Sequence, residues 1–168
     1  MLKNHFYDVY DLQHLSEIET VFKTDGLVGL NVTIPFKEKV VPYLDELSDE
    51  AEKTGAVNCI LIKDQVKKGY NTDVFGFEKT LVLHRKDFHD SALVLGNGGA
   101  AKAVKYVLEQ HQIPYQTVSR NADLNFGNLT AETVRKNRLI IQCTPVGTFP
   151  NVDDCLDFPF DGITGQHL

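Results

Sequence analysis

A glycine-rich turn at residues 96–100 constrains the fold more than any other feature of this sequence. It follows the apolar run Leu93-Val94-Leu95 and reads Gly96-Asn97-Gly98-Gly99-Ala100. The spacing Gly96-x-Gly98-x-x-Ala101 fits the pattern G-x-G-x-x-[GA], in which a strand passes through a tight turn into a helix. The first glycine permits the turn, and the second lets the backbone approach a phosphate. The stretch therefore predicts a dinucleotide site, the alternative being a tight turn without a ligand.

The end of the next predicted strand indicates which dinucleotide is preferred. NAD-binding proteins usually place a carboxylate about twenty residues after the turn, where it holds the ribose 2′-hydroxyl. This chain has Ser119-Arg120-Asn121 there. Because a guanidinium can pair with a 2′-phosphate, Arg120 favours NADP over NAD. The alternative is a solvent-exposed surface arginine.

The second half of the chain has a β-α-β-α-β pattern that begins at Ala92. Helices are predicted over 99–111 and 130–137, and strands over 92–95, 114–118 and 139–143. We expect the first helix to bury Ala100, Ala103, Val104, Val107 and Leu108 and to expose Lys102, Lys105 and Glu109. The polar stretch 84–90 precedes this pattern and predicts a domain boundary, with domains over 1–86 and 87–168.

The first half predicts a second α/β unit. Strands are expected over 5–12 and 27–33, the latter a parallel strand covered on both faces, with a helix between them. Pro35 favours a helix start whose apolar face runs from Val40 to Leu47. Ser48 and Gly55 would bound a short helix, and two strands over 57–62 and 65–70 would lead to a helix capped by residues 71–73.

Polar residues at the predicted strand ends are candidates for chemistry. Lys37 follows the strand 27–33 at an expected helix start, and Asp73 lies at another strand-to-helix junction. The two could meet across one cleft, with Asp73 holding Lys37 while Lys37 exchanges a proton with a hydroxyl or carbonyl. Asn31, Thr33 and Asn58 could bind hydroxyls there. From spacing alone, solvated charges and turn-forming polar residues remain the alternative.

Composition excludes several other classes of function. The net charge is −6 and Lys and Arg do not cluster, so we expect a small-molecule partner and not nucleic acid. No apolar run is long enough to cross a membrane, and the first residues lack a secretory pattern, which predicts a cytoplasmic protein. The six histidines show no metal-site spacing, so no metal is expected. Cys59, Cys143 and Cys155 are predicted to be buried core thiols.

Several of these stretches together resemble the shikimate dehydrogenase family. The resemblance rests on five motifs in the family's order: Gly29-Leu30-Asn31-Val32-Thr33-Ile34-Pro35-Phe36-Lys37, Gly55-Ala56-Val57-Asn58, Asn71-Thr72-Asp73-x-x-Gly76, Gly96-Asn97-Gly98-Gly99-Ala100 and Thr144-Pro145-Val146-Gly147. It implies an α/β fold with a substrate domain followed by a truncated Rossmann-like NADP-binding domain. It also implies reversible NADPH-dependent reduction of 3-dehydroshikimate to shikimate, by a cytoplasmic monomer or homodimer.

The resemblance assigns roles to individual residues. It implies that Lys37 and Asp73 are the catalytic pair and that Asn31, Thr33 and Asn58 surround the substrate hydroxyls. The cofactor-binding set would be Gly96, Asn97, Gly98, Gly99, Ala100, Ser119, Arg120 and Thr144.

The chain also departs from the family pattern in three places. The family's first strand and Ser-x-Ser turn have no counterpart before His5, the chain stops at Leu168 ahead of the family's next strand, and the segment Ser119–Leu124 keeps one of two expected cations. We therefore expect a shortened form with impaired activity and looser NADP selectivity. A non-catalytic NADP-binding fragment, whose exposed sheet edge pairs with another copy, and a quinate or shikimate dehydrogenase that uses NAD are the alternatives.

Overall fold

Two separate β-sheets organise the chain, whose computed structural model describes residues 6–168. The first half forms β1 (Gly29–Asn31), β2 (Glu46–Leu47), β3 (Cys59–Lys63) and β4 (Val66–Tyr70). These strands make a mixed sheet in the order β1-β3-β4-β2, in which β1 and β4 are antiparallel to β3 and β2 is parallel to β4. The helices of this half are α1 (Ile18–Val21), α2 (Asp49–Thr54) and α3 (Thr72–His84).

The second half forms a parallel sheet of three strands. Its elements alternate as β5 (Ala92–Leu95), α4 (Gly99–Gln110), β6 (Tyr115–Val118), α5 (Ala131–Lys136) and β7 (Leu139–Gln142). The strand order is β6-β5-β7, with β5 in the centre and buried along its whole length. This arrangement confirms the α/β class and the Rossmann-like pattern predicted for this half.

The strand predicted over 5–12 is absent from residues 6–12, which run without regular structure; His5 lies outside the described residues. Phe6, Tyr7 and Val9 are exposed. A groove of about 1190 Å³ separates this segment from β1. Because a strand needs a neighbouring backbone to pair with, the apolar pattern alone did not produce one here.

The prediction of a parallel, doubly covered strand over 27–33 was also wrong. β1 has three residues, lies at the sheet edge and is antiparallel to β3. The Ile62 amide donates to the Val28 carbonyl and the Val32 amide donates to the Asn58 carbonyl, both at 2.9 Å. Along an antiparallel strand, every second residue directs its N–H and C=O groups at the partner strand. Val28 and Val32 direct theirs at β3, so the N–H and C=O groups of Gly29 and Asn31 face away from β3, toward the groove.

No helix starts at Pro35. Residues 34–40 form successive turns, a 3₁₀ turn covers Val41–Tyr43, and β2 follows where the helix was expected to continue. Pro42 has no N–H group, so an α-helix cannot run through it with its hydrogen bonds intact. Lys37 consequently lies in a turn and not at the beginning of its own helix.

The helix boundaries predicted from capping residues agree with the structure better than the predicted strands of this half do. The Ser48 Oγ accepts a 3.3 Å hydrogen bond from the Ala51 amide at the start of α2, and Gly55 ends that helix at φ 60°. Asn71 precedes α3 as expected, but its side chain makes no cap. Its Nδ2 instead donates to the Thr54 Oγ1 at 3.0 Å, which joins the end of α2 to the start of α3.

Apolar packing forms one core cluster around the first sheet and two on the faces of the second. Val74 and Leu81 of α3 belong to a cluster with residues of α4 and β5. Helix α3 therefore packs on the second sheet although it precedes the polar stretch 84–90. The division into domains 1–86 and 87–168 stays a prediction.

Several burial predictions need correction. Helix α4 buries Ala101 in place of Ala100, and Lys102 and Lys105 are half-buried and not exposed. Cys155 is exposed, whereas Cys59 and Cys143 are partly buried. Within residues 6–168, no helix has the length and apolar character needed to span a membrane.

Candidate active site

Lys37 and Asp73 form an ion pair between the two halves of the first unit. The Lys37 Nζ donates to the Asp73 Oδ2 at 2.8 Å, and the side chains retain 19% and 35% of their exposure. Lys37 comes from the turns after β1, and Asp73 is the second residue of α3. A partly exposed ammonium held by a carboxylate is a suitable arrangement for proton exchange with a ligand in a cleft.

Asn58 connects this pair to the start of α3. Its Nδ2 donates to the Asp73 Oδ1 at 2.8 Å and to the Thr72 Oγ1 at 3.0 Å. Its Oδ1 accepts from the Thr72 amide at 2.9 Å. Both amide protons are therefore used within the protein, so Asn58 fixes the orientation of Asp73 while Lys37 occupies the other carboxylate oxygen.

Backbone hydrogen bonds hold the segments that carry these side chains. The Val57 amide donates to the Lys37 carbonyl at 2.7 Å, and the Asn58 amide donates to the Tyr70 carbonyl at 3.0 Å. The Asn58 carbonyl also accepts from the Val32 amide. The turn with Lys37, the loop with Asn58 and the end of β4 are thus joined.

Asn31 and Thr33 lie in the groove beside β1 and make no hydrogen bond to this network. The Asn31 Nδ2 donates to the Tyr7 hydroxyl at 3.1 Å, across the groove. The Thr33 carbonyl accepts from the Phe36 amide at 2.9 Å. The structure therefore brings Lys37, Asp73 and Asn58 together, with Asn31 and Thr33 lining the adjacent groove.

The glycine turn between β5 and α4 has the backbone and the space that a dinucleotide phosphate needs. Gly96 has φ +113°, and a Cβ there would lie 3.0 Å from the backbone C and O of Cys143. A Cβ at Gly98 would meet no atom within 4 Å, so this side of the turn is open. Since the N–H groups of the first turn of α4 face the same end, the turn fits a pyrophosphate.

The glycine turn is adjacent to Lys37. A Cβ at Gly99 would lie 3.3 Å from the Lys37 Cβ and 3.8 Å from the Ala56 Cβ. One turn further along α4, the Lys102 Nζ pairs with the Glu38 carboxylate at 2.6 Å. The positive end of a helix therefore does lie beside Lys37, but this helix is α4 of the other unit.

The remaining cofactor candidates surround the same sheet edge. Thr144 follows β7, and its Cγ2 lies 3.2 Å from the position of a Cβ at Gly96. Ser119 begins the turn after β6, where its amide donates to the Leu124 carbonyl at 3.2 Å and Arg120 is exposed. The Asn97 Oδ1 accepts from the Lys105 Nζ at 2.6 Å, and Ala100 is half-buried in α4.

Sequence reasoning missed Thr72, Tyr7 and Lys105 as participants in this region. Thr72 stands beside Asp73 in one of the motifs and was therefore recoverable, whereas the Tyr7 contact depends on a segment without regular structure. Lys105 is eight residues from Asn97, and a long side chain on a helix can reach back toward the helix N-terminus. Residues 6–168 contain no group of three or more potential metal ligands.

Comparison with known proteins shows that this chain matches one family model and is similar to several curated proteins. Residues 3–60 match the model of the shikimate dehydrogenase substrate binding domain. A shikimate dehydrogenase (NADP(+)) of Clostridium beijerinckii is 37% identical over 161 residues, which are 88% of this chain and 60% of the relative. The chain thus spans less than two thirds of the length of the curated relatives it matches.

Solved structures agree with these matches. The shikimate 5-dehydrogenase of Thermus thermophilus, in complex with NADP(H) and shikimate, is 30% identical with a TM-score of 0.68, covering 86% of this chain and 59% of that one. The quinate dehydrogenase of Corynebacterium glutamicum, in complex with NAD, is 26% identical with a TM-score of 0.76, covering 92% and 62%.

Proposed function

We propose that this chain, which is similar to proteins of the shikimate dehydrogenase family, catalyses the reversible NADPH-dependent reduction of 3-dehydroshikimate to shikimate. One observation carries the proposal: the Lys37–Asp73 ion pair directly adjoins a glycine turn suited to a dinucleotide. A proton-exchanging group and a redox cofactor are the two components that reduction of a ketone to an alcohol requires.

Lys37 and Asp73 are proposed as the catalytic pair. Lys37 gives a proton to the developing alkoxide oxygen in reduction and takes it back in oxidation. Asp73 keeps the ammonium in place through the 2.8 Å contact, and Asn58 keeps Asp73 in place through its own 2.8 Å hydrogen bond. The protein thereby supplies orientation and a proton.

The substrate is proposed to lie between this pair and the groove beside β1. Asn31 and Thr33 present polar side chains from the groove, and Asn58 borders the pair from the other side. Polar groups of this kind suit a ligand with several hydroxyl groups.

NADP is the proposed cofactor, and it supplies the hydride when bound. Gly96, Gly98 and the start of α4 would hold its pyrophosphate, together with Asn97, Gly99, Ala100 and Thr144. Ser119 and Arg120 would hold the 2′-phosphate, since Arg120 is exposed and a planar guanidinium matches a phosphate. The NAD-bound quinate dehydrogenase supports an NAD-using alternative, against which Arg120 argues.

A domain division at residues 86 and 87 is part of the proposal, with the substrate unit first and the cofactor unit second. We also propose a cytoplasmic monomer or homodimer, in keeping with an enzyme that draws on NADPH within the cell. A small-molecule substrate remains the proposed partner, since the net charge of −6 offers no surface for nucleic acid.

A steady-state assay of NADPH oxidation in the presence of 3-dehydroshikimate tests the proposal. We expect turnover by the wild-type chain and its loss in Lys37→Met, while Lys68→Met, which removes an exposed ion pair with Glu46, serves as the matched control. NADPH oxidation that is equal in Lys37→Met and wild type would contradict the assignment of the pair.

Within residues 6–168 no strand pairs with the outer edge of β1, which favours a second candidate, an NADP-binding module that pairs with another copy through that edge. Calorimetry with NADP and with shikimate separates the two candidates. Binding of both ligands supports the enzyme, whereas binding of NADP alone, by a dimer, supports the module.

A further inference from the structure

Lys105 departs from the surface role that its position on an amphipathic helix predicts. It is half-buried in the second turn of α4, and its Nζ reaches back to the Asn97 Oδ1 at 2.6 Å. Asn97 is the second residue of the glycine turn. The Lys105 side chain therefore extends toward the N-terminus of α4, and its ammonium contacts the glycine turn there.

The Lys105 ammonium, unlike that of Lys102, forms no ion pair among residues 6–168. Within residues 6–168, no carboxylate oxygen lies within 4.0 Å of its Nζ, whereas Lys102, three residues earlier on the same helix, is paired with Glu38 at 2.6 Å. The nearby Glu109 carboxylate instead accepts a 2.6 Å hydrogen bond from the Tyr115 hydroxyl. Burial lowers the pKa of Lys105, and the Glu109 carboxylate acts in the opposite direction.

The turn that this charge reaches borders the end of β7, because a Cβ at Gly96 would lie 3.0 Å from the backbone of Cys143. Burial raises the pKa of the Cys143 thiol, which follows β7, to about 11, and the charge on Lys105 acts in the opposite direction. The Lys105 ammonium thus lies at the carboxyl end of β5, on the residue that follows Gly96. Since the strand order β6-β5-β7 places one neighbour on each side of β5, this is the crevice where a doubly wound sheet binds its ligand.

We infer that Lys105 binds the pyrophosphate of the dinucleotide, adding a side-chain cation to the backbone N–H groups of the glycine turn. The inference rests on the proposed function, because it needs a dinucleotide in the crevice. The 2′-phosphate would lie at the end of β6, on the opposite side of β5, so Lys105 acts on the part that NAD and NADP share. Asn97 holds the ammonium in place until the phosphate replaces or joins it.

Calorimetry on the full chain with NADP⁺, NAD⁺ and ADP-ribose tests the inference, since the three ligands share only the adenosine, the pyrophosphate and the second ribose. In Lys105→Met we expect all three dissociation constants to rise by a similar factor, about tenfold for the loss of one charge-assisted contact. Lys105→Arg keeps the charge and should stay within about threefold of wild type. Lys136→Met removes a paired surface lysine of α5 and should change none of them.

The outcomes separate the inference from the proposed function. Unchanged dissociation constants in Lys105→Met, or a change confined to NADP⁺, overturn the inference and leave the function standing. A wild-type chain that binds none of the three ligands overturns both. If Lys105→Met melts at a lower temperature than wild type, Lys105→Gln, which keeps a polar group beside Asn97, replaces it in the same measurement.

Discussion

The ammonium of Lys37 and the carboxylate of Asp73 meet at 2.8 Å although 36 residues separate them along the chain. Lys37 lies in a run of turns, and Asp73 lies in the first turn of a helix. The Asn58 side chain donates to Asp73, and the neighbouring Val57 amide donates to the Lys37 carbonyl. The geometry of the pair therefore depends on the loop between α2 and β3, which holds both segments.

Replacing Asp73 by Asn should lower kcat for 3-dehydroshikimate by about 10²- to 10⁴-fold, because the lysine loses the anion that orients it for proton transfer. The substitution keeps the shape of the side chain. Stopped-flow measurement of NADPH oxidation gives the rate, and unchanged affinity for NADP⁺ would show that the cofactor unit is intact. A kcat within about threefold of wild type would exclude Asp73 from the reaction.

Replacing Asn58 by Ala should reduce the free energy of unfolding by about 1–3 kcal/mol, since the Thr72 amide and the Asp73 carboxylate each lose a hydrogen-bond partner. Urea denaturation measures this difference. Thr72→Ser retains the hydroxyl that faces Asn58 and is the conservative control. An Asn58→Ala chain as stable as wild type would mean that water replaces these contacts fully.

Three glycine variants should behave differently although each gains only a methyl group. Gly98→Ala should keep the stability of wild type and lose dinucleotide affinity, because the new Cβ points into open space where a phosphate would approach. Gly96→Ala should be destabilised by about 1–3 kcal/mol, given its φ of +113°.

Gly76→Ala, in the exposed part of α3, is the third glycine variant and should gain about 0.5–1 kcal/mol. Thermal unfolding with and without NADP⁺ distinguishes the three. A Gly98→Ala chain that NADP⁺ stabilises as well as wild type would place the phosphate elsewhere.

Replacing Arg120 by Ala should raise the dissociation constant for NADP⁺ by about tenfold and leave that for NAD⁺ unchanged, since only NADP⁺ carries the 2′-phosphate. Arg135→Ala removes another exposed arginine, on α5, and is the control. Isothermal titration calorimetry with NADP⁺ and with NAD⁺ provides the measurement. Equal losses for both cofactors would remove Arg120 from the specificity site.

The Cys143 thiol should be alkylated faster as pH rises, up to about pH 11. Burial raises its pKa to about 11, and the thiolate is the reactive form, so only about one thiol in a thousand is ionised at about pH 8. Cys155 is exposed and should react first. Peptide mass spectrometry after timed treatment with iodoacetamide follows each cysteine. A rate at Cys143 that is constant between about pH 8 and pH 10 would contradict the raised pKa.

The second half of the fold was predictable because each of its signals is local. A buried parallel strand is apolar throughout, and the glycine turn and the helix that follow carry their own patterns. The first half was harder. The apolar run 27–33 indicates a strand but not its partner, and β1 pairs in the antiparallel sense with β3, which lies far along the chain.

In the candidate site, too, local sequence signals predicted some features, and features that depend on contacts distant in sequence were missed. The spacing of Lys37 and Asp73 along the chain does not predict that they are in contact. Only the resemblance to a family predicted that they act as a pair. Lys105 could not be identified from periodicity, which assigns it to the solvent-facing side of α4. Its true environment depends on the crevice beside β7, a product of the strand order.

Gly99 sets a limit on how far the two units can be exchanged as modules. Any side chain there would press on the aliphatic part of Lys37, so the first residue of α4 must be small for a reason unrelated to phosphate. A chimera that joins the first half of this chain to the second half of a similar protein would therefore need glycine at this one position, as well as a matching partner for Glu38.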